Sequence, residues 1–71
     1  MRTIYTKEYR EIVEKLRKAR IAIGLTQVEV SNKLKKSQSF VSKVESCQRR
    51  LDILELKALA AIYSIDINKI I

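Results

Sequence analysis

Proline and histidine are absent from the 71 residues, and glycine and cysteine occur once each, at Gly24 and Cys47. A chain without proline and with a single glycine lacks the residues that hairpin turns draw on, which fits an all-helical protein. One cysteine excludes an internal disulfide, and the lack of histidine removes both the commonest metal ligand and the commonest catalytic base. Cys47 reads as a small packed or surface residue. The hydroxyl groups have no histidine beside them, no lysine is placed to serve as a base, and neither a glycine-rich phosphate loop nor a Cys/His cluster is present. The sequence therefore predicts no enzyme activity, no cofactor, no metal and no small-molecule ligand. The absence of a signal peptide and of any long apolar run predicts a cytoplasmic chain that does not enter a membrane.

Charge is present in excess and is unevenly placed. The formal net charge is +7 and the sequence pI about 9.9. Residues 1–50 hold 13 Lys and Arg against 5 Asp and Glu, whereas residues 51–71 hold 2 against 3. A basic first part suits a polyanion, and a near-neutral last part suits packing or self-association. Many small basic proteins carry such charge for solubility alone.

Apolar spacing sets out five helices in one domain spanning residues 1–71, with residues 1–5 as a loose lead-in. Thr6 caps a first helix over 7–23. Its apolar stripe is Ile12, Leu16, Ala19 and Ile23, widened by Val13, and Gly24 is its stop. The second helix covers 26–33 and the third 37–46. Asp52 caps a fourth over 52–62, whose Ile53, Leu56, Leu59, Ala60 and Ile62 cover much of its circumference and predict the most buried helix. Asp66 caps a last short helix over 66–70. The predicted core is Leu16, Ile23, Val30, Leu34, Val41, Val44, Leu56 and Leu59.

The stretch from Thr26 to Ser46 organises the rest. Thr26 caps a short helical pattern with Val30 and Leu34 four apart on one face, and Ser37 is the cap candidate for a second short pattern with Val41 and Val44 inward. Only Lys35 and Lys36 lie between, so the two helices must turn sharply over one shared core. With the valines buried, Gln38, Ser39, Ser42 and Lys43 project outward, and no carboxylate appears before Glu45. Glutamine suits adenine, lysine suits the guanine acceptors and serine suits either, so an acid-free polar face on a short helix matches the major groove of DNA. Each serine reads equally as solvated helix surface. Phe40 borders the buried face, where it packs on the core edge or reaches a thymine methyl. Lys35, Lys36, Arg49 and Arg50 flank this helix as a set of phosphate contacts.

The residues Leu16-Arg17-x-x-Arg20, Gly24-Leu25-Thr26-Gln27, Ser37-Gln38-Ser39-Phe40-Val41-Ser42-Lys43-Val44-Glu45 and Arg49-Arg50-Leu51 resemble the Cro/CI-type helix-turn-helix family (XRE-family, lambda-repressor-like), from about residue 10 to the C-terminus. The chain departs from that pattern with Ser31 in place of alanine, and with Lys35 and Cys47 where glycine is usual. The resemblance implies a compact five-helix all-α domain with the helix-turn-helix at helices two and three. It implies base contacts by Gln38, Ser39 and Lys43, with Ser42 able to join them. It implies phosphate contacts by Gln27, with Thr26 either joining or serving only as a cap. Arg20 and Glu45 correspond to a family ion pair, in which the arginine can also face a phosphate. Their other reading is two unrelated surface charges.

The expected function is sequence-specific binding of double-stranded DNA by a transcriptional regulator, a repressor, with helix three in the major groove. One such helix reads few base pairs, so a homodimer on a palindromic operator is expected. Ile67, Ile70 and Ile71 are the candidate dimer contact, with ordinary core packing as the other reading. The competing function is a protein-interaction module, such as the antitoxin of a toxin–antitoxin pair.

Overall fold

Each helix starts where a side-chain oxygen replaces a missing backbone partner. The computed structural model describes residues 6–70, so the lead-in expected over 1–5 and the dimer candidate Ile71 lie outside the described residues. Helix α1 spans Lys7–Ala22, α2 Gln27–Lys33, α3 Phe40–Glu45 and α4 Ile53–Ile62. Thr6 Oγ1 accepts from Tyr9 N at 3.1 Å to open α1. Thr26 and Glu29 form a reciprocal capping box at the start of α2, and Asp52 and Glu55 do the same for α4. The expected fifth α-helix is a single 3-10 turn, Ile67–Lys69, entered from Asp66, whose carboxylate accepts from Asn68 N at 2.9 Å.

All four α-helices end in the same way. In each, the residue after the C-cap has positive φ and bonds back to the carbonyl three residues earlier, while the next residue bonds to the carbonyl five residues earlier. The first pairing is Gly24 with Ile21, Lys35 with Asn32, Cys47 with Val44 and Ser64 with Ala61. The second is Leu25 with Arg20, Lys36 with Ser31, Gln48 with Lys43 and Ile65 with Ala60. These are Schellman stops. Only Gly24 meets the left-handed region without a Cβ penalty. Lys35, Cys47 and Ser64 hold φ of 58°, 61° and 56°, each at a cost of about 1 kcal/mol.

The third helix is shorter than its expected span of 37–46. Residues 37–39 form a turn in which Phe40 N donates to Ser37 O at 3.0 Å, and Ser39 is the helix boundary but makes no side-chain cap bond. Ser37 is therefore not the cap of α3. The missing acceptor comes from the preceding helix: Ser31 Oγ, fully buried on α2, accepts from Val41 N at 3.1 Å. Val41 N is one of the donors that the start of a helix leaves without an intrahelical partner. Serine in place of alanine at position 31 thus ties α2 to the start of α3.

The core is Leu16, Val30, Phe40, Val41, Val44, Leu59, Ala60, Tyr63 and Ile70, with Leu34 and Leu56 packed on its edge. Three expectations need correction. Ile23 is 43% exposed, because α1 ends at Ala22 and Ile23 is its C-cap, past the last turn that packs on the core. Helix α4 is not the most buried: Ile53 and Leu54, at its start, are 63% and 71% exposed, whereas the charged Glu55 beside them is buried. A ten-residue helix against one core turns only one face inward, and its capping box draws Glu55 to that side. Ile70, expected at a dimer surface, is 2% exposed and belongs to the core, with Ile67 half-buried against it. The 3-10 turn folds the chain end back onto α1, where Lys15 Nζ donates to Ile70 O at 3.5 Å.

Candidate nucleic-acid interface

The polar residues of the 38–43 stretch separate by depth. Gln38, Ser39 and Lys43 are exposed. Ser42 is half-buried and its hydroxyl donates to Ser39 O at 3.2 Å. Phe40 turns into the core, which resolves its two readings in favour of packing. Glu45, the one acid on α3, also turns inward: only 7% of its side chain is exposed.

Glu45 closes a network beneath α3. Arg20 Nε and Nη2 donate to its two carboxylate oxygens at 2.7 and 3.0 Å, and Gln27 Nε2 donates to Oε1 at 2.9 Å. Arg20 Nη1 donates to Leu25 O at 2.8 Å. The ends of α1 and α3 and the start of α2 are thereby joined through one carboxylate. Three of the five guanidinium N–H groups of Arg20 face protein acceptors, and Glu45 holds the guanidinium above its ordinary pKa. Burial pushes the nearby Tyr63 phenol up to about 12, with the Glu45 carboxylate adding to the effect. The Gln27 amide, expected at a phosphate, has its nitrogen on Glu45, and its oxygen remains an acceptor. Thr26 Oγ1 accepts from Glu29 N at 3.0 Å, so capping is the observed role of that hydroxyl oxygen.

A second acid, which the sequence reading passed over, gathers the basic residues. Glu55 accepts from Arg49 Nη1 and Nη2 at 2.8 and 3.0 Å and from Asp52 N at 3.0 Å, and forms an ion pair with Lys36 Nζ at 3.2 Å. The Arg49 hydrogen bonds, assisted by Asp52 N and Lys36, hold its carboxyl down to about 2 against the cost of burial. Arg49 lies 4.7 Å and Lys36 5.5 Å from the Phe40 ring centroid. Arg50 stacks over Tyr9 at 5.4 Å, and the Tyr9 hydroxyl accepts from Leu51 N at 3.0 Å. Lys35 is exposed in its left-handed turn. A signal for Glu55 did exist in the sequence: it stands three residues after Asp52, the spacing of a capping box.

Lys36 and Arg49 were expected to flank α3 at its two ends. Their tips bond to the same oxygen of Glu55, Oε2, so they lie no more than about 6 Å apart. The major groove is roughly 12 Å wide. These two side chains therefore form one basic point, separated by less than the width of a groove.

Two short helices, α2 and α3, meeting at a sharp turn over a shared core, with polar residues kept outward around α3, define a helix-turn-helix protein. The helix-turn-helix family model HTH_3 matches residues 16–70, more than half of the chain, and the chain belongs to that family of DNA-binding transcription regulators. Among solved structures it is similar to an XRE-family like protein from Pseudomonas syringae pv. tomato str. DC3000. The identity is 36%, the TM-score 0.82, and the match covers 89% of this chain and 77% of that one. No curated protein matches the chain. Among the described residues, no helix is long and apolar enough to cross a membrane, and no group of three or more acidic or cysteine side chains is placed to hold a metal ion.

Proposed function

We propose that the chain is a sequence-specific repressor that lays α3 and the turn before it in the DNA major groove. The observation that carries this reading is the disposition of charge on α3. Its only acid, Glu45, is turned inward and held by Arg20 and Gln27, while Gln38, Ser39 and Lys43 stand outward. Gln38 reads an adenine through its amide, Lys43 a guanine acceptor, and Ser39 and Ser42 reach whichever base or phosphate lies beside them. Lys35 and Arg50, with Lys36 and Arg49, hold the sugar–phosphate backbone. Arg20, Gln27 and Thr26 stand behind them as the frame that fixes α3, with their remaining N–H and O–H groups available to phosphates.

A single α3 reads too few base pairs for a genome, so the working form is a homodimer on a palindromic site. With Ile70 in the core, the apolar contact falls to Ile53 and Leu54, the two most exposed large apolar side chains among the described residues. They begin α4 directly after the basic loop, so a second copy meeting there brings its own α3 close by. An adaptor that binds only protein would need no acid-free face on α3.

The test is selection of a binding site from random duplex DNA, followed by Gln38→Ala. The variant should bind the selected site more weakly by about 1–3 kcal/mol and lose preference at one base pair. Failure of the parent to enrich any sequence, or an equal loss on selected and random DNA, would remove base reading by this face.

A further inference from the structure

Four observations converge on Glu55. It is a buried carboxylate on a DNA-binding protein, close to the face that meets a polyanion. It binds two cations from opposite sides of α3 in the sequence. Both cations also lie against the ring of Phe40, which is anchored in the core. Both remain open to solvent, with 39% of the Lys36 and 41% of the Arg49 side chain exposed.

We propose that Lys36, Arg49 and Glu55 form a single clamp for a DNA backbone phosphate, in which Glu55 is a positioning residue that touches no DNA. The proposal rests on the DNA-binding reading above. Glu55 engages both Nη atoms of Arg49 in a two-pronged bond, and Arg50 O takes a further Nη1 hydrogen. The Nε–H and one Nη2–H of the guanidinium are left over. The Lys36 ammonium pairs with Oε2 at 3.2 Å on one side and has further N–H groups to donate. The free donors of both residues therefore surround one small region. Separated by no more than about 6 Å, the two tips fit one phosphate or two consecutive phosphates of one strand. The carboxylate, bonded also to Asp52 N within the α4 capping box, cannot leave with the cations when DNA arrives. Two flexible chains are thus ordered before binding, and less side-chain entropy is lost on association.

The arrangement makes a prediction whose sign opposes simple electrostatics. Glu55→Gln raises the net charge by one unit, and if Glu55 only screened its neighbours, DNA binding would tighten. If Glu55 positions them, binding weakens. The experiment titrates parent, Glu55→Gln, Arg49→Lys and the Arg49→Ala pair with and without Glu55→Gln against a random-sequence duplex and the selected site. Salt is varied, and the temperature is one at which circular dichroism shows each variant folded. The expected result for Glu55→Gln is a fall of about tenfold on both duplexes, with the slope of log affinity against log salt flatter by about 1 to 2. In the Arg49→Ala background the same change should have a much smaller effect, because the two residues act as one unit. Arg49→Lys keeps the charge but not the fork, and should also weaken binding. Unchanged or tighter binding by Glu55→Gln, or parental affinity in Arg49→Lys, overturns the clamp. Arg49→Lys keeps the proposal open to refutation should Glu55→Gln fail to fold. A parent that binds neither duplex refutes instead the functional reading on which the clamp stands.

Discussion

Removing one oxygen from Ser31 should weaken the whole protein. Ser31 Oγ lies fully buried on α2 and accepts from Val41 N, whose residue is itself 1% exposed. In Ser31→Ala the methyl group fits the same space, but the N–H at the start of α3 has no water to turn to. A buried donor left without a partner costs about 1–3 kcal/mol. Alanine returns a few tenths of a kcal/mol through its better helix propensity, which leaves a net loss of about 1–2 kcal/mol. In a domain of this size each kcal/mol moves Tm by roughly 4–8 °C. Urea unfolding followed by circular dichroism should show a lower midpoint with an unchanged slope, since the surface exposed on unfolding is the same. Ser42→Ala is the internal control. It removes a hydroxyl that bonds only to the Ser39 carbonyl at the surface, and should stay within about 0.5 kcal/mol of the parent. Parental stability in Ser31→Ala would mean that α3 starts without help from α2, and would refute the account of why serine stands there.

Ile70→Asp should unfold the protein, because it places a carboxylate among core side chains where an isoleucine is 2% exposed. Leu54→Asp should instead give a folded chain that sediments as a monomer, and a folded Ile70→Asp or a still dimeric Leu54→Asp would refute those placements. Ser64→Gly should raise stability by at most about 0.6 kcal/mol, the relief of about 1 kcal/mol of left-handed strain less about 0.4–1 kcal/mol for the added freedom of the unfolded chain. A lower thermal midpoint would show the strain at φ 56° to be negligible, because only the cost of the freer unfolded chain would then remain. The Glu55 carboxyl is held down to about 2 in the folded protein against an ordinary 4.5, so its contribution is fully present above the unfolded value and is lost as pH falls from about 4.5 toward 2. That contribution is at most about 3 kcal/mol, and nearer half of it once solvent screening at the exposed Arg49 and Lys36 is counted. Unfolding midpoints at pH 7 and pH 3 should fall further apart in the parent than in Glu55→Gln, and equal differences would refute the coupling.

Local pattern alone settled much of this protein. The 3/4 spacing of apolar residues, the caps Thr6, Thr26 and Asp52 and the stop at Gly24 specify α1, α2 and α4 to within a residue, because helix ends are set by neighbours in the chain. Of the residues expected outward around α3, Gln38, Ser39 and Lys43 are exposed, because two inward valines three apart leave only certain positions facing away, whereas Ser42 is half-buried. What local pattern could not supply was any choice between equivalent faces. Ile70 and Leu54 are both apolar residues near helix ends, and only the fold back of the 3-10 turn onto α1 buries the first and leaves the second in solvent. The part Glu55 plays in gathering cations was not visible until Lys36, nineteen positions earlier in the chain, and Arg49 were brought to the same oxygen. Ser31 looked like a departure from a family pattern until α3 packed against it. Each of these is a long-range contact, decided by the packing of helices around one core.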